Sequence, residues 1–223
     1  MESKLIIMLT HHDKTVKNAI DIFEENKDLP VSFWGFKDVG LDKENMRTLV
    51  ENMRQAGKKT FLEVVTYTEA ECMDGARLAV EYGFDYLMGT VYYKSVHDYL
   101  NECSISYLPF CGKVSGSPSV LEGSNEEIIE DAKDLIEKGI KGFDLLAYRH
   151  VIDGEKLAED FIKAISVPVV IAGSINSFGR IDKMARLDPW AFTMGSALFD
   201  KCFIAEGTFR QNLQSVVEYM KMR

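Results

Sequence analysis

The stretch VVIAGSINSFGRI, residues 169–181, decides the fold. A β-branched apolar run stops at Gly173-Ser174, and a helical pattern begins a few residues later. The next such run, FTMGSALF (192–199), halts at Gly195-Ser196 in the same way. A short run that is apolar on both faces, closed by glycine and followed by an amphipathic stretch, reads as a buried parallel strand feeding a helix.

Working outward, the same unit recurs along the whole chain. KLIIMLT (4–10) precedes a helical pattern over 15–26, and VSFWGF (31–36) precedes one over 43–57, with Asp42 as N-cap and Gly57 as stop. TFLEVVT (60–66) leads to 69–82, which Gly83 ends, and DYLMGTV (85–91) leads to a short helix over 94–102. SYLPFCG (106–112) leads to 125–138, capped by Asn125 and stopped by Gly139, and FDLLAY (143–148) leads to 154–165. VPVVIAG (167–173) precedes 178–187, and AFTMGS (191–196) precedes a terminal helix within 206–221. Eight strand-then-helix units predict an α/β chain folded as a single (β/α)8 barrel, one domain over 1–223. An open doubly wound sheet is the alternative, but no Gly-rich dinucleotide fingerprint follows the first strand. The long connection is SGSPSVLEGS (115–124), after the fifth strand, on the face where barrels bind ligands.

Composition narrows the partners. Lys plus Arg is 26 and Asp plus Glu is 35, a net charge of −9, which argues against a nucleic-acid backbone as partner. A small anion is still allowed, because a positive pocket can sit in a negative protein. The four cysteines have no CxxC spacing and read as reduced thiols. The apolar run Leu5–Leu9 is too short for a signal h-region or a membrane span, so the expectation is a soluble, cytoplasmic protein. A homo-oligomer is allowed, but no segment marks an interface.

In a barrel of this kind the strand C-termini share one mouth, and a phosphate is frequently held by the loops after strands seven and eight. Glycine lets the backbone N–H groups approach an anion, and a following serine adds a hydroxyl donor. Gly173, Ser174, Gly195 and Ser196 occupy these two places. Tight turns alone would also use glycine, but the pair occurs on both strands.

These residues carry a resemblance. VPVVIAGSINSFGRIDKM (167–184) and AFTMGSALF (191–199) resemble the closing segments of the ribulose-phosphate-binding barrels. That group includes the histidine-biosynthesis sugar isomerases and the N-acetylmannosamine-6-phosphate epimerases. The resemblance spans about residues 167–199; elsewhere it is the barrel rhythm. It implies a phosphorylated small-molecule substrate held by those glycines, and it does not name the reaction.

Polar residues at the strand ends supply candidate chemistry. Glu63, flanked by Leu62 and Val64, is costly to bury unpaired, and Lys37 ends the neighbouring strand. As a pair they could tie two strands together, or serve as general base and acid for enolisation beside a carbonyl. Lys113 and His11 are the next catalytic candidates, His11 because imidazole titrates near neutrality. Arg149 is a candidate grip on a substrate carboxylate or phosphate, and Thr90 ends strand four as a substrate contact. His11, His12 and Asp13 alternate in direction along a strand and lack further ligands on later strands, so no metal is expected, and no cofactor. Met8, Met88 and Met194 read as core filling.

The reading is an enzyme that isomerises or epimerises a phosphosugar by acid–base chemistry. Two alternatives stay open. Lys37 or Lys113 could form a Schiff base, making the protein an aldolase or lyase, although strand six lacks the lysine that phosphosugar aldolases of this fold often carry there. Or the barrel could be a non-catalytic regulator, resembling the glycerol-3-phosphate-responsive antiterminators. The histidine-biosynthesis isomerases use aspartates on strands one and five; KLIIMLT and SYLPFCGK have none, so that reaction is not assigned.

Overall fold

A computed structural model describes residues 3–223. The barrel strands are β1 (Lys4–Met8), β2 (Phe33–Lys37), β3 (Lys59–Val64), β4 (Tyr86–Gly89), β5 (Ser106–Leu108), β6 (Phe143–Leu145), β7 (Val169–Ile171) and β8 (Ala191–Met194). The helices are α1 (Ala19–Asn26), α2 (Lys43–Gln55), α3 (Glu69–Tyr82), α4 (Lys94–Glu102), α5 (Asn125–Glu137), α6 (Gly154–Ala164), α7 (Phe178–Leu187), α8 (Ser196–Phe199) and α9 (Phe209–Lys221). Among the described residues these make the (β/α)8 barrel, eight parallel strands alternating with helices.

The chain divides into two compact units, Met1–Phe61 with Ser174–Arg223, and Leu62–Gly173. In the first unit β1 lies between two parallel neighbours, with Ile6 opposite Thr193 of β8 and Met8 opposite Gly35 of β2. Its interior holds Ile6, Ile7, Trp34, Phe36, Leu49 and Phe192, all fully buried. Phe33, Phe61 and Trp190 pack ring against ring at 5.2–6.4 Å, and the Trp34 indole donates to the Val31 carbonyl at 3.1 Å. In the second unit β4 pairs with β5 through Met88 and Leu108, and β6 pairs with β7 through Asp144 and Val170. Phe143 meets Phe161 of α6 edge to face at 6.0 Å. Met8, Met88 and Met194 are buried, as expected of gap-filling side chains.

Helix ends follow local chemistry. Asp42 caps α2 by accepting from the Asn45 N–H, and Gly83 closes α3 in the left-handed region. Three expectations are corrected. Ser124, not Asn125, caps α5, in a reciprocal capping box with Glu127. Helix α1 starts at Ala19 rather than residue 15, because Thr10–His11 and Lys14–Thr15 pair as a small hairpin. The Thr15 hydroxyl donates to the Lys37 carbonyl at 2.7 Å and accepts from the Lys37 N–H at 2.9 Å, so a tertiary contact removes Thr15 from the helix. The segment 115–124 is not an irregular loop: Lys113–Ser115 and Val120–Glu122 form an antiparallel hairpin, and Tyr67 holds its tip by donating to the Gly116 carbonyl at 2.7 Å.

Candidate active site

In the first unit, the ends of β1, β2 and β8 gather charge. After β1 the chain turns tightly through His12 and Asp13, at φ +50° and +59°. Two-residue hairpin turns of this kind prefer Asn-Gly, since both central residues must enter the left-handed region. The strained choice brings Asp13 to Lys37, whose ammonium donates to the carboxylate at 3.1 Å. The Lys37 side chain is only 10% exposed, which is low for a lysine and makes that ion pair more than a surface contact. His11, on the same hairpin, holds the Asp200 carboxylate through Nε2 at 2.8 Å and stacks on Phe199 at 5.3 Å.

Gly195 ends β8 against β1. A Cβ there would lie 2.8 Å from the Thr10 carbonyl oxygen and 3.0 Å from that of Met8. Ser196 comes next, exposed, at the first position of α8, and Ser174 is exposed at φ +57°. Close strand approach thus accounts for the glycine at 195, and the serines that follow both glycines are exposed.

In the second unit, Glu63 is half-buried at the end of β3. Arg149 lies beside Gly173: a Cβ on that glycine would sit 3.6 Å from the arginine Cγ and Nε. Thr90 is fully buried at φ +64°, its hydroxyl 2.7 Å from the Tyr107 hydroxyl. Burial pushes the Tyr107 hydroxyl up, so it stays protonated. Lys113 stands on the hairpin, its side chain 80% exposed and 3.4 Å from Glu122. His11, Lys37 and Gly195-Ser196 therefore come together in one unit, and Arg149 and Gly173 in the other, while Lys113 faces solvent and Thr90 lies beneath the surface.

Sequence reading passed over three residues here. Asp144 is a fully buried carboxylate in β6, between Phe143 and Leu145. It carries the same signal that drew attention to Glu63, a lone acid in an apolar strand. It acts on Cys111, whose thiol is pushed up first by burial and then by Asp131 and Asp144. Tyr67 was hidden because nothing local foretells its reach to the hairpin. Asp200 gave no periodic signal, being placed by the turn after α8. Among the described residues no group of three His, Cys, Asp or Glu is spaced to hold a metal ion, and no helix is long and apolar enough to cross a membrane.

No family profile and no curated protein sequence matches the chain. Solved structures do match its fold. The orotidine 5'-phosphate decarboxylase of Pyrococcus horikoshii OT3 aligns with a TM-score of 0.70 at 10% identity, over 97% of this chain and 99% of that one. The N-(5'-phosphoribosyl)anthranilate isomerase of Pyrococcus furiosus aligns at 0.67 and 13%, over 99% and 100%. The N-acetylmannosamine-6-phosphate 2-epimerase of Clostridium perfringens aligns at 0.64 and 12%, over 99% and 93%. At these identities the likeness is one of fold: the chain is a barrel similar to those of phosphosugar-processing enzymes.

Proposed function

We propose that the protein binds a phosphorylated small metabolite at the C-terminal ends of its strands and isomerises or epimerises a phosphosugar by acid–base chemistry. One observation carries this reading: exposed Ser196, after Gly195, shares a unit with two proton-carrying pairs, His11–Asp200 and Lys37–Asp13. An anion held by Ser174, Gly195 and Ser196 fixes one end of a substrate; in the other unit Arg149, beside Gly173, is a candidate grip on an anionic group. Enolisation then needs a base for a carbon-bound proton and an acid or cation for the developing oxyanion. In the first unit Lys37 is the proposed cation, with His11 as a proton carrier; in the second unit Glu63 is the proposed base. The similar barrels named above act on phosphorylated substrates by their names, which supports the substrate class.

The test is a thermal-shift panel of inorganic phosphate, ribulose 5-phosphate, N-acetylmannosamine 6-phosphate, N-acetylglucosamine 6-phosphate and glycerol 3-phosphate. Wild type is compared with Ser196→Asp and Ser174→Asp, both changes at exposed positions. A ligand at 100 times its dissociation constant adds about 2.7 kcal/mol of stability. The expected result is a shift with one phosphosugar that both variants lose, and turnover of that sugar falling on the order of 100-fold in Glu63→Gln. No shift with any phosphate overturns the anion site. Binding without turnover favours the regulator instead.

A second reading, Schiff-base chemistry, is favoured by the burial of the Lys37 side chain. Borohydride trapping with the identified substrate would then leave an adduct on Lys37. Turnover without an adduct removes this reading.

A further inference from the structure

We infer that Asp200 is a positioning residue for His11, and that the single turn of α8 links it to the phosphate contact at Ser196. The inference rests on the phosphate reading above.

The geometry is short-range throughout. The Asp200 N–H donates to the Ser196 carbonyl at 2.7 Å, and Leu198 donates to Gly195 at 2.9 Å, so the loop from 195 to 200 is one hydrogen-bonded turn. The Asp200 carboxylate accepts from His11 Nε2 at 2.8 Å. Phe199, between those anchors, stacks on the His11 ring at 5.3 Å and packs on Phe209 of α9 at 4.9 Å. The ring is thus held at its edge by a carboxylate and on its face by an aromatic that α9 backs. Both partners keep solvent access, with side chains 26% and 50% exposed.

A carboxylate on Nε2 fixes which nitrogen handles protons. With Nε2–H donated to Asp200, Nδ1 is the nitrogen left to take a proton, and Asp200 balances the charge of the imidazolium that forms. An anion that orders the Ser196 peptide and hydroxyl also orders Asp200, because their backbones are joined by one hydrogen bond. Occupancy of the phosphate site would in this way set the orientation of a proton carrier on a different strand. The orienting acid sits four residues after the serine, and the base it orients sits near the opposite end of the chain.

The test is nuclear magnetic resonance of labelled wild type, Asp200→Asn and His11→Gln, with inorganic phosphate as probe. Asp200 is half exposed, so the Asn variant preserves the fold, which the remaining amide spectrum checks. The expected result is that phosphate shifts both the Ser196 amide and the His11 ring signals in wild type. In Asp200→Asn the Ser196 response remains and the His11 response is lost; His11→Gln leaves the Ser196 response intact. A His11 response that persists in Asp200→Asn, or a Ser196 response with a silent His11 in wild type, overturns the link and leaves the phosphate site standing. Silence at both residues overturns the phosphate reading, and this inference with it. With an identified substrate, a kcat loss in Asp200→Asn that disappears in the His11→Gln background separates positioning from a structural effect.

Discussion

At Gly173 the backbone takes φ +87°, and a Cβ would find only Arg149 Cγ and Nε, 3.6 Å away. At Gly195 φ is −135°, and a Cβ would lie 2.8 Å from the Thr10 carbonyl oxygen. The same dipeptide, Gly-Ser, closes both strands, yet the two glycines answer different demands. One supplies a left-handed conformation with room around it; the other supplies absent volume where β8 presses on β1. Neither demand is phosphate binding. Ser174 and Ser196, one position beyond each glycine, are exposed, and substitutions there test the proposed anion site.

The comparison breaks most readily at Gly195. Gly195→Ala forces a methyl into two backbone oxygens, and the strand cannot move aside cheaply. We expect a loss of about 3 kcal/mol, or roughly 6–12 °C in melting temperature. Gly173→Ala meets no clash and bears only the conformational cost, about 1 kcal/mol. Gly173→Asn should cost less than Gly173→Ala, since Asn tolerates the left-handed region; at 195, Asn should be at least as damaging as Ala. Denaturant midpoints for these four variants check the order. Equal losses at 173 and 195 would mean that the space around Gly173 is not usable.

The barrel was legible because its signals are local and repeated. Each apolar run closes on a turn residue, and Asp42, Gly57, Gly83 and Gly139 stand where helix ends need them. The misses lie where a distant contact overrides a local preference. Thr15 reads as the start of a helix until Lys37 claims its hydroxyl. The Gly-Ser-Pro segment reads as loop, although Val114 and Val120 on either side of it are strand formers. The site was half legible. Lys37, His11 and Asp13 were visible as polar residues at strand ends, but the pairing of Lys37 with Asp13 and the partner Asp200 were not. Pairing of residues far apart in sequence leaves no periodic trace, and Asp200 is 189 positions from His11.

A third glycine sharpens the contrast, because both demands meet in it. Gly139 stops α5 at φ +97°, and a Cβ there would come within 3.2 Å of His97 Cε1. The bulk it makes room for is a buried imidazole, and Asn101 Nδ2 lies 2.8 Å from the His97 Nε2, donating to a neutral ring. Burial holds the His97 pKa below its ordinary 6.5; Lys94 and Lys141 lower it further, against Asp98. The unfolded chain therefore binds this proton first. Stability is full above the ordinary value and declines as pH falls below it. Between about pH 7.5 and 5.5, wild type should lose more melting temperature than His97→Gln, by less than the Gly173→Ala effect. Asp28 offers the control. Its hydrogen bond to Arg210 lowers its pKa from 3.8 to about 2, so the stability it adds is lost only as pH falls below the ordinary carboxylate range. Equal slopes for wild type and His97→Gln near pH 6 would show that Gly139 makes room for the ring without the ring governing acid stability.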